Sequence, residues 1–418
     1  MNDYYKIKDI CKIKGGKRIP RGEVLQIEKN SHPYIRILDM YQGRIINISK
    51  DMLYAKESYI KQIKNYIVNE NDVILAIVGT LGMVSIIGNT LDRAQLTENC
   101  CKFVDIQEDK VNRLFLYYAL ISPLNQNVIK KFRVGSSQPK LPLYNVGELL
   151  VPKFKLSIQS KISNLLSNID SKIEINNKIN DKLEAMAKTI YDYWFLQFEF
   201  PNEEGKPYKS SGGKMIWNEV LKREIPEGWD VQTLENLGNL IMGQSPKSTS
   251  YNNKKEGLPL INGAAELQKD KIEITKYTSE PTRICKKEDL IFCIRATIGN
   301  INYADKSYCL GRGVGAFRVT EKEYVEYMFL TLRNILNMYN KILTGSIIVG
   351  ITKEDLLQQN IIKPKNDVIT QFYNKVHFMA EKMKSIKKEN QELTSLRDFL
   401  LPLLMNGQVG FKGDKAEG

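Results

Sequence analysis

Arginine, lysine, glutamine and serine side chains recur in short glycine-bearing loops of this 418-residue chain, and together they could recognise nucleic acid. In the first half the candidates are Lys17, Arg18, Arg21, Arg36, Thr80, Arg133, Ser136, Gln138 and Lys140. In the second half they are Gln244, Ser245, Lys247, Asn262, Arg295, Thr297, Arg312, Ser346 and Lys353. Arg and Gln can read base edges through two parallel hydrogen bonds, whereas Lys and Ser more often hold phosphates. Any one of them alone is an ordinary solvated side chain. As a set they occupy matching positions in two halves of the chain while differing in residue type.

Catalytic chemistry finds no comparable set. The run GRGVG at 311–315 spaces glycines as a phosphate loop would, but the strand-like AFRVT follows it. Without a helix N-terminus there is nothing to hold a phosphate, so the run reads as a turn. No phosphate-loop lysine motif occurs, nor the Asn-Pro-Pro-aromatic tetrapeptide with which an amino-methyltransferase grips a flipped base. Glu204-Gly205-Lys206 imitates the end of a metal-dependent nuclease site, yet it sits in a Pro/Gly/Ser-rich stretch too loose to fix a metal. Six cysteines show no metal-ligand spacing, and with two histidines besides, no metal site is expected. Such unpatterned thiols suit a reducing cytoplasm. The expected chemistry is binding, with no catalytic residue and no metal.

Charge agrees. The net charge of +13 favours a polyanionic partner, although a Lys- and Asn-rich composition can also follow from genomic base content. Residues 1–152 carry 22 Lys and Arg against 15 Asp and Glu, while 153–199 carry seven Lys against six acids. The surplus therefore lies with the part expected to be globular. The most membrane-like run, VILAIVGTLGMVSII at 73–87, is too short for a span and is expected to be a buried strand and turn. No membrane partner and no secretory signal are expected.

The elements that must position these loops come in two copies. NDVILAIVGTLG at 71–82 matches EDLIFCIRATIG at 288–299, so that Asp72, Thr80 and Gly82 fall on Asp289, Thr297 and Gly299. GGKRIP at 15–20 resembles MGQSP at 242–246, and Gly135 and Ser136 fall on Gly345 and Ser346. Each copy reads as short β-branched strands, glycine turns and a helix, near 112–121 and 323–340. Each copy then leads into a long helix. Ile162, Leu166, Ile169, Ile173, Leu183 and Ile190 correspond, at an offset of 210, to Phe372, Val376, Met379, Met383, Leu393 and Leu400. Alternating spacings of four and three make this a coiled-coil seam, and the two helices are expected to pair with each other. Asn176 and Asn180 both fall where the packing face should be apolar, and Asn180 falls on Asn390, so these asparagines are expected in the seam, fixing register at some cost in stability. The stretch 200–228 reads as a linker with little core of its own.

Three segments carry a family resemblance: LLVPKFKLSIQSKISNLLSNIDSKIEINNKINDKLEAMAKTIYDYWFLQFEF at 149–200, GKMIWNEVLKREIPEGW at 213–229, and TSLRDFLLPLLMNGQV at 394–409. In these the chain resembles the specificity subunit of a type I restriction–modification system, over essentially its whole length. The resemblance implies an α+β protein with a pseudo-twofold internal repeat. Its two target recognition domains, of mixed α/β structure, are 1–152 and 229–363. They are separated by long antiparallel coiled-coil helices at 153–199 and 364–406, with a linker at 200–228 and a tail at 407–418. Each domain would read one half of a split site in double-stranded DNA. Two methyltransferase subunits and, in the full enzyme, two translocase–nuclease subunits would be partners. S-adenosylmethionine, ATP and Mg would bind to those partners, not to this chain. The rival readings are a coiled-coil scaffold that never touches DNA and a self-sufficient nuclease or methyltransferase.

Overall fold

The computed structural model describes residues 3–135, 139–268, 271–295, 298–343 and 350–411. The chain divides into two compact units, the first comprising Met1–Asn177 with Lys387–Gly418 and the second Lys178–Ile386.

In the first unit a five-stranded sheet runs Lys12–Gly15, Cys100–Val104, Val73–Ala76, Val84–Ile87, Ile45–Ile46. Only its last pair is parallel. A three-stranded sheet, Leu53–Tyr54, Pro33–Ile35 and Gln95–Leu96, covers one face; Ile35, Ile74, Ala76 and Cys100 share the core between. The helix Arg113–Ile121 covers the other, with Val73, Leu75, Phe103 and Phe115 in that core. Alternate residues of Val73–Ala76 thus enter different cores, and all four are buried. A central strand covered on both faces needs a continuous apolar run, which is why 73–87 looked like a membrane segment. Among the described residues no helix is long and apolar enough to cross a membrane.

The second unit repeats the plan. Its sheets run Gly238–Met242, Val314–Val319, Leu290–Cys293, Ile301–Tyr303, and Tyr251–Asn252, Lys276–Thr278, Leu258–Ile261, Tyr308–Leu310, Ile284–Cys285. The parallel pair Leu258–Ile261 with Tyr308–Leu310 reproduces Pro33–Ile35 with Gln95–Leu96. An outer antiparallel pair closes each copy: Tyr4–Lys6 with Leu150–Pro152, and Asp230–Thr233 with Asn360–Lys363. The shared aspartates have a structural task. Asp72 accepts from the Asn69 N–H at 2.9 Å and lies 3.4 Å from Lys102 Nζ. Asp289 accepts from the Lys286 N–H at 2.7 Å and takes both Nε and Nη2 of Arg318, at 2.9 and 2.7 Å. Each carboxylate closes the turn before its strand while a cation on the neighbouring strand compensates its burial.

The long helices are Leu156–Tyr191 and Asn366–Met405. Within the first unit Arg397 Nη1 meets Asp170 at 3.0 Å and Asn390 meets Asn176 at 2.8 Å, so partner numbers fall along one helix as they rise along the other. That is antiparallel pairing. Within the second unit Phe372 packs on Phe195 and Trp194 at 4.8 and 5.9 Å between ring centroids. The seam is dry towards the globular parts, where Ile162, Leu166, Ile169, Phe372 and Val376 are buried, and wetter towards the middle, where Ile173, Leu183, Met383 and Leu393 are half-exposed.

The seam asparagines are satisfied unequally. Asn390 bonds across the seam with Asn176, which is 1% exposed and also donates to Glu389 Oε2 at 2.8 Å. Asn390 returns a bond to Asn177 Oδ1 at 2.8 Å. Asn180 Oδ1 is instead buried without a hydrogen-bond partner. The offset of 210 explains this: it carries Asn176 opposite Asn390 onto Ile386 opposite Asn180, and the isoleucine offers no polar atom. Asn180→Leu is therefore expected to stabilise the protein by about 1 kcal/mol, and Asn176→Leu to destabilise it by about 1–2 kcal/mol by removing its buried bonds to Asn390 and Glu389. Denaturant midpoints of the two variants measure this, and a destabilised Asn180→Leu would contradict it.

The stretch 200–228 also differs from a bare linker. It forms the hairpin Met215–Asn218 with Arg223–Pro226, and it stacks Phe200 on Tyr208 and on Trp229 at 4.5 and 4.8 Å. Phe200, Ile225 and Trp229 are buried in the core of the second unit, so the stretch borrows a core it could not build.

Candidate nucleic-acid interface

The candidate loops gather at one end of the main sheet in each unit. In the first unit the chain leaves Lys12–Gly15 through Gly16, whose N–H donates to Cys100 O at 3.0 Å while Lys17 N–H donates to Leu96 O at 2.8 Å. In the second it leaves Gly238–Met242 through Gly243, whose N–H donates to Val314 O at 3.0 Å while Gln244 N–H donates to Leu310 O at 2.9 Å. The two pairs of bonds are the same pair. A Cβ on Gly16 would stand 2.0 Å from Thr97 O, and one on Gly243 2.1 Å from Gly311 O, so only glycine lets the strand end approach its neighbour. Lys17 and Gln244 are thereby presented from identical backbone positions, and both are exposed.

Around this cradle the first unit assembles four further pieces. Arg18 is 82% exposed and lies 3.7 Å from Glu98. Ile77 and Val78 both donate to Asn99 O, which ties the Thr80 turn to the turn at 97–99. Lys140 bridges both Val78 and Val134, bringing the Arg133 loop alongside. Tyr41, which is 62% exposed, places its hydroxyl 2.9 Å from Thr80 Oγ1. Tyr41 was not legible in the sequence, because neither its residue type nor its spacing marks it as a partner of the Thr80 turn. Arg21 is exposed on the loop that follows Arg18.

Arg36 is placed differently from the rest. Its Nε and Nη2 hold Asp39 at 3.0 and 2.9 Å, and Nη2 also donates to Asp51 O at 3.0 Å. Those bonds raise its already high pKa and leave the guanidinium engaged in its own turn.

In the second unit Arg312 N–H donates to Ser245 Oγ at 3.4 Å, and Gly313 N–H donates to Asn262 O at 3.0 Å. Ile294 N–H donates to Gly313 O, and Ile351 N–H to Ile294 O, each at 3.0 Å, so that Arg295 and the residues before Lys353 join the same end. Thus the Gly311–Gly313 part of GRGVG is a turn between Tyr308–Leu310 and Val314–Val319, and its Val314 and Gly315 begin the second strand. Lys247 is exposed just beyond Ser245. Ser136, Gln138, Thr297 and Ser346 lie outside the described residues.

Electrostatics separates these loops from the framework. Lys6 and Lys8 share Glu148, and Lys12 pairs with Asp105. Arg21, Arg133, Lys140, Lys247, Arg312 and Lys353 make no salt bridge among the described residues. An exposed, uncompensated cation is free to meet phosphate. All six cysteines are buried thiols, and burial pushes Cys11 and Cys285 up to about 12. Among the described residues no cluster of His, Cys, Asp or Glu could hold a metal ion.

Two copies of one loop-bearing scaffold, joined by paired long helices in a single chain, define a duplicated recognition protein. The type I restriction modification DNA specificity domain matches residues 2–185 and 226–395, and the chain belongs to that family. It is a specificity subunit of a type I restriction–modification system, a non-catalytic component. Among curated proteins it is 27% identical over 310 residues to the putative type I restriction enzyme MjaX specificity subunit of Methanocaldococcus jannaschii, covering 73% of this chain and 70% of that one. It is 24% identical over 420 residues to the MjaIX specificity subunit of the same organism, covering 97% and 93%. Its fold is similar to the crystal structure of the S subunit from M. genitalium, with a TM-score of 0.59 at 18% identity over 96% of this chain and 95% of that one.

Proposed function

We propose that each unit reads one half of a split site in double-stranded DNA through its loop cluster, and that the long helices set the gap and carry methyltransferase subunits. The observation that carries the reading is the shared cradle. Gly16 and Gly243 present Lys17 and Gln244 from the same backbone bonds, yet the two tips differ chemically. One scaffold with different tips is what reading two different half-sites requires. Arg36 is a scaffold residue in this scheme, and Tyr41 joins the reading set. Partner docking finds support on the helices, where Phe378 and Phe399 are 74% and 65% exposed. A subunit docked along that helix would cover both rings. Translocase–nuclease subunits would complete the assembly in the cytoplasm, with S-adenosylmethionine, ATP and Mg bound by the partners.

The test is methylation mapping in cells that supply the methyltransferase partner. Exchanging residues 1–151 for those of a relative is expected to change one half-site and leave the other intact. Inserting seven residues after Lys182 adds ~10 Å of helix, and is expected to widen the gap by about three base pairs without altering base preference. A domain exchange that altered both half-sites would overturn the proposal.

A further inference from the structure

One asymmetry between the repeats lies on the long helices, away from the loop clusters. In the first unit, Ser167, Ser171 and Glu174 of the first long helix are covered by Arg44, whose side chain is 7% exposed. Its Nε donates to Glu174 Oε1 at 3.0 Å, Nη1 to Ser167 Oγ at 2.6 Å, and Nη2 to Ser171 Oγ at 3.0 Å. The offset of 210 puts His377, Glu381 and Lys384 at the same positions of the second long helix. The carboxylate that holds the arginine is there a lysine. This face borders a cavity of about 530 Å³ built wholly from the second unit.

The charges of that cavity do not cancel. Glu326 is buried at its wall, accepting from the Tyr303 hydroxyl and lying 3.0 Å from His377 Nδ1. Asp289 is held by Arg318, and Glu381 by Lys384 at 2.6 Å. Asp289 and Glu381 are thus paired with cations, Glu326 is held by a tyrosine and a histidine, and Glu288 makes no salt bridge among the described residues; the lining carries five Lys and Arg against four carboxylates. Lys286, Lys287 and Lys322 are the exposed cations of that set, without a salt bridge among the described residues. Another lining residue, Tyr373, has its hydroxyl buried with no hydrogen-bond partner. Three ammonium groups around one concave wall concentrate positive potential in it.

The cavity is also set apart from the recognition loops. Lys286, Lys287 and Asp289 precede the strand Leu290–Cys293, whereas Arg295 follows it. Four strand residues span ~13 Å.

We propose that this cavity is an oxyanion site, taking a carboxylate or phosphate group where the first unit seats a cation on Glu174. The group comes either from a free small anion or from an acidic side chain of a partner subunit. Calorimetric titration of the full chain with inorganic pyrophosphate is expected to show saturable one-site binding. The triple variant K286Q/K287Q/K322Q is expected to bind at least ten-fold more weakly. A control, K29Q/K50Q/K61Q, removes the same charge from exposed positions of the first unit and is expected to stay within two-fold of the parent. All these lysines are surface residues, and unchanged melting temperatures confirm that each variant is folded. Absence of saturable binding, or equal weakening by both triples, overturns the proposal. Repeating the titration on the complex with methyltransferase separates the sources: binding lost on assembly assigns the oxyanion to the partner, and binding retained assigns a free anion.

Discussion

Phe372→Ala is expected to destabilise the second unit by about 3–5 kcal/mol, the cost of emptying a large aromatic site in a packed core. Phe372 is fully buried and lies one turn inside the second long helix, where Tyr191, Trp194 and Phe195 surround it at 6.5, 5.9 and 4.8 Å. Tyr191 ends the first long helix and Trp194 and Phe195 lie in the π-helical turn Asp192–Leu196 that follows it, so this one ring ties the second long helix and the end of the first to the core behind Leu290–Cys293 and Val314–Val319. Neighbouring rings stacked edge-on cannot collapse into the void without leaving their own contacts, which places the loss towards the upper end of the range. For a unit of this size that corresponds to a fall in melting temperature on the order of 10 °C. Calorimetry of the variant, with hydrogen exchange to locate the weakened segment, provides the measurement. A shift below about 2 °C would mean that the site repacks and that the aromatic cluster is not the unit's main support.

Reading the sequence reached the architecture because duplication left marks in it. Asp72 and Asp289 recur since each closes a turn through a backbone N–H and is compensated by a cation on the neighbouring strand. Gly16 and Gly243 recur because a carbonyl stands where a Cβ would be. What failed was anything set by a third residue. Whether Asn180 or Asn176 meets Asn390 depends on the helix opposite, which periodicity in one strand of sequence does not contain. Arg36 looks identical in type to Arg133, but Asp39 three residues on engages it. The stretch 200–228 has the composition of a linker, and its order comes from aromatic rings supplied by other segments. In the candidate interface the tips were visible as residue types in matching loops, whereas Tyr41 entered only through its contact with Thr80.

The second large effect is electrostatic. DNA affinity of the complex assembled with its methyltransferase partner is expected to fall about 10³- to 10⁵-fold between 50 and 200 mM salt, if six to ten of the loop cations meet phosphates. The number is plausible from the structure, because the loops of the two units present Lys17, Arg18, Arg21, Arg133, Lys140, Lys247, Arg295, Arg312 and Lys353 at exposed positions. Each phosphate contact releases a condensed counterion and adds about −0.9 to the slope of log affinity against log salt. Arg133→Gln with Lys140→Gln should therefore flatten that slope by about two and weaken binding to all sequences alike. Lys6→Gln with Lys8→Gln removes the same formal charge from the other end of the first unit, where Glu148 already holds both ammonium groups at 2.6 and 2.5 Å, and should leave the slope unchanged. Gln244→Glu makes the complementary case. It puts a carboxylate at a tip presented by the Gly243 cradle, so it should alter base preference in one half-site while the other half-site stays as it was. Filter-binding or fluorescence titrations across the salt series separate these outcomes. Equal slopes for the two double variants would mean that the loops do not touch the DNA backbone, and that the positive charge of the chain acts only as a diffuse field.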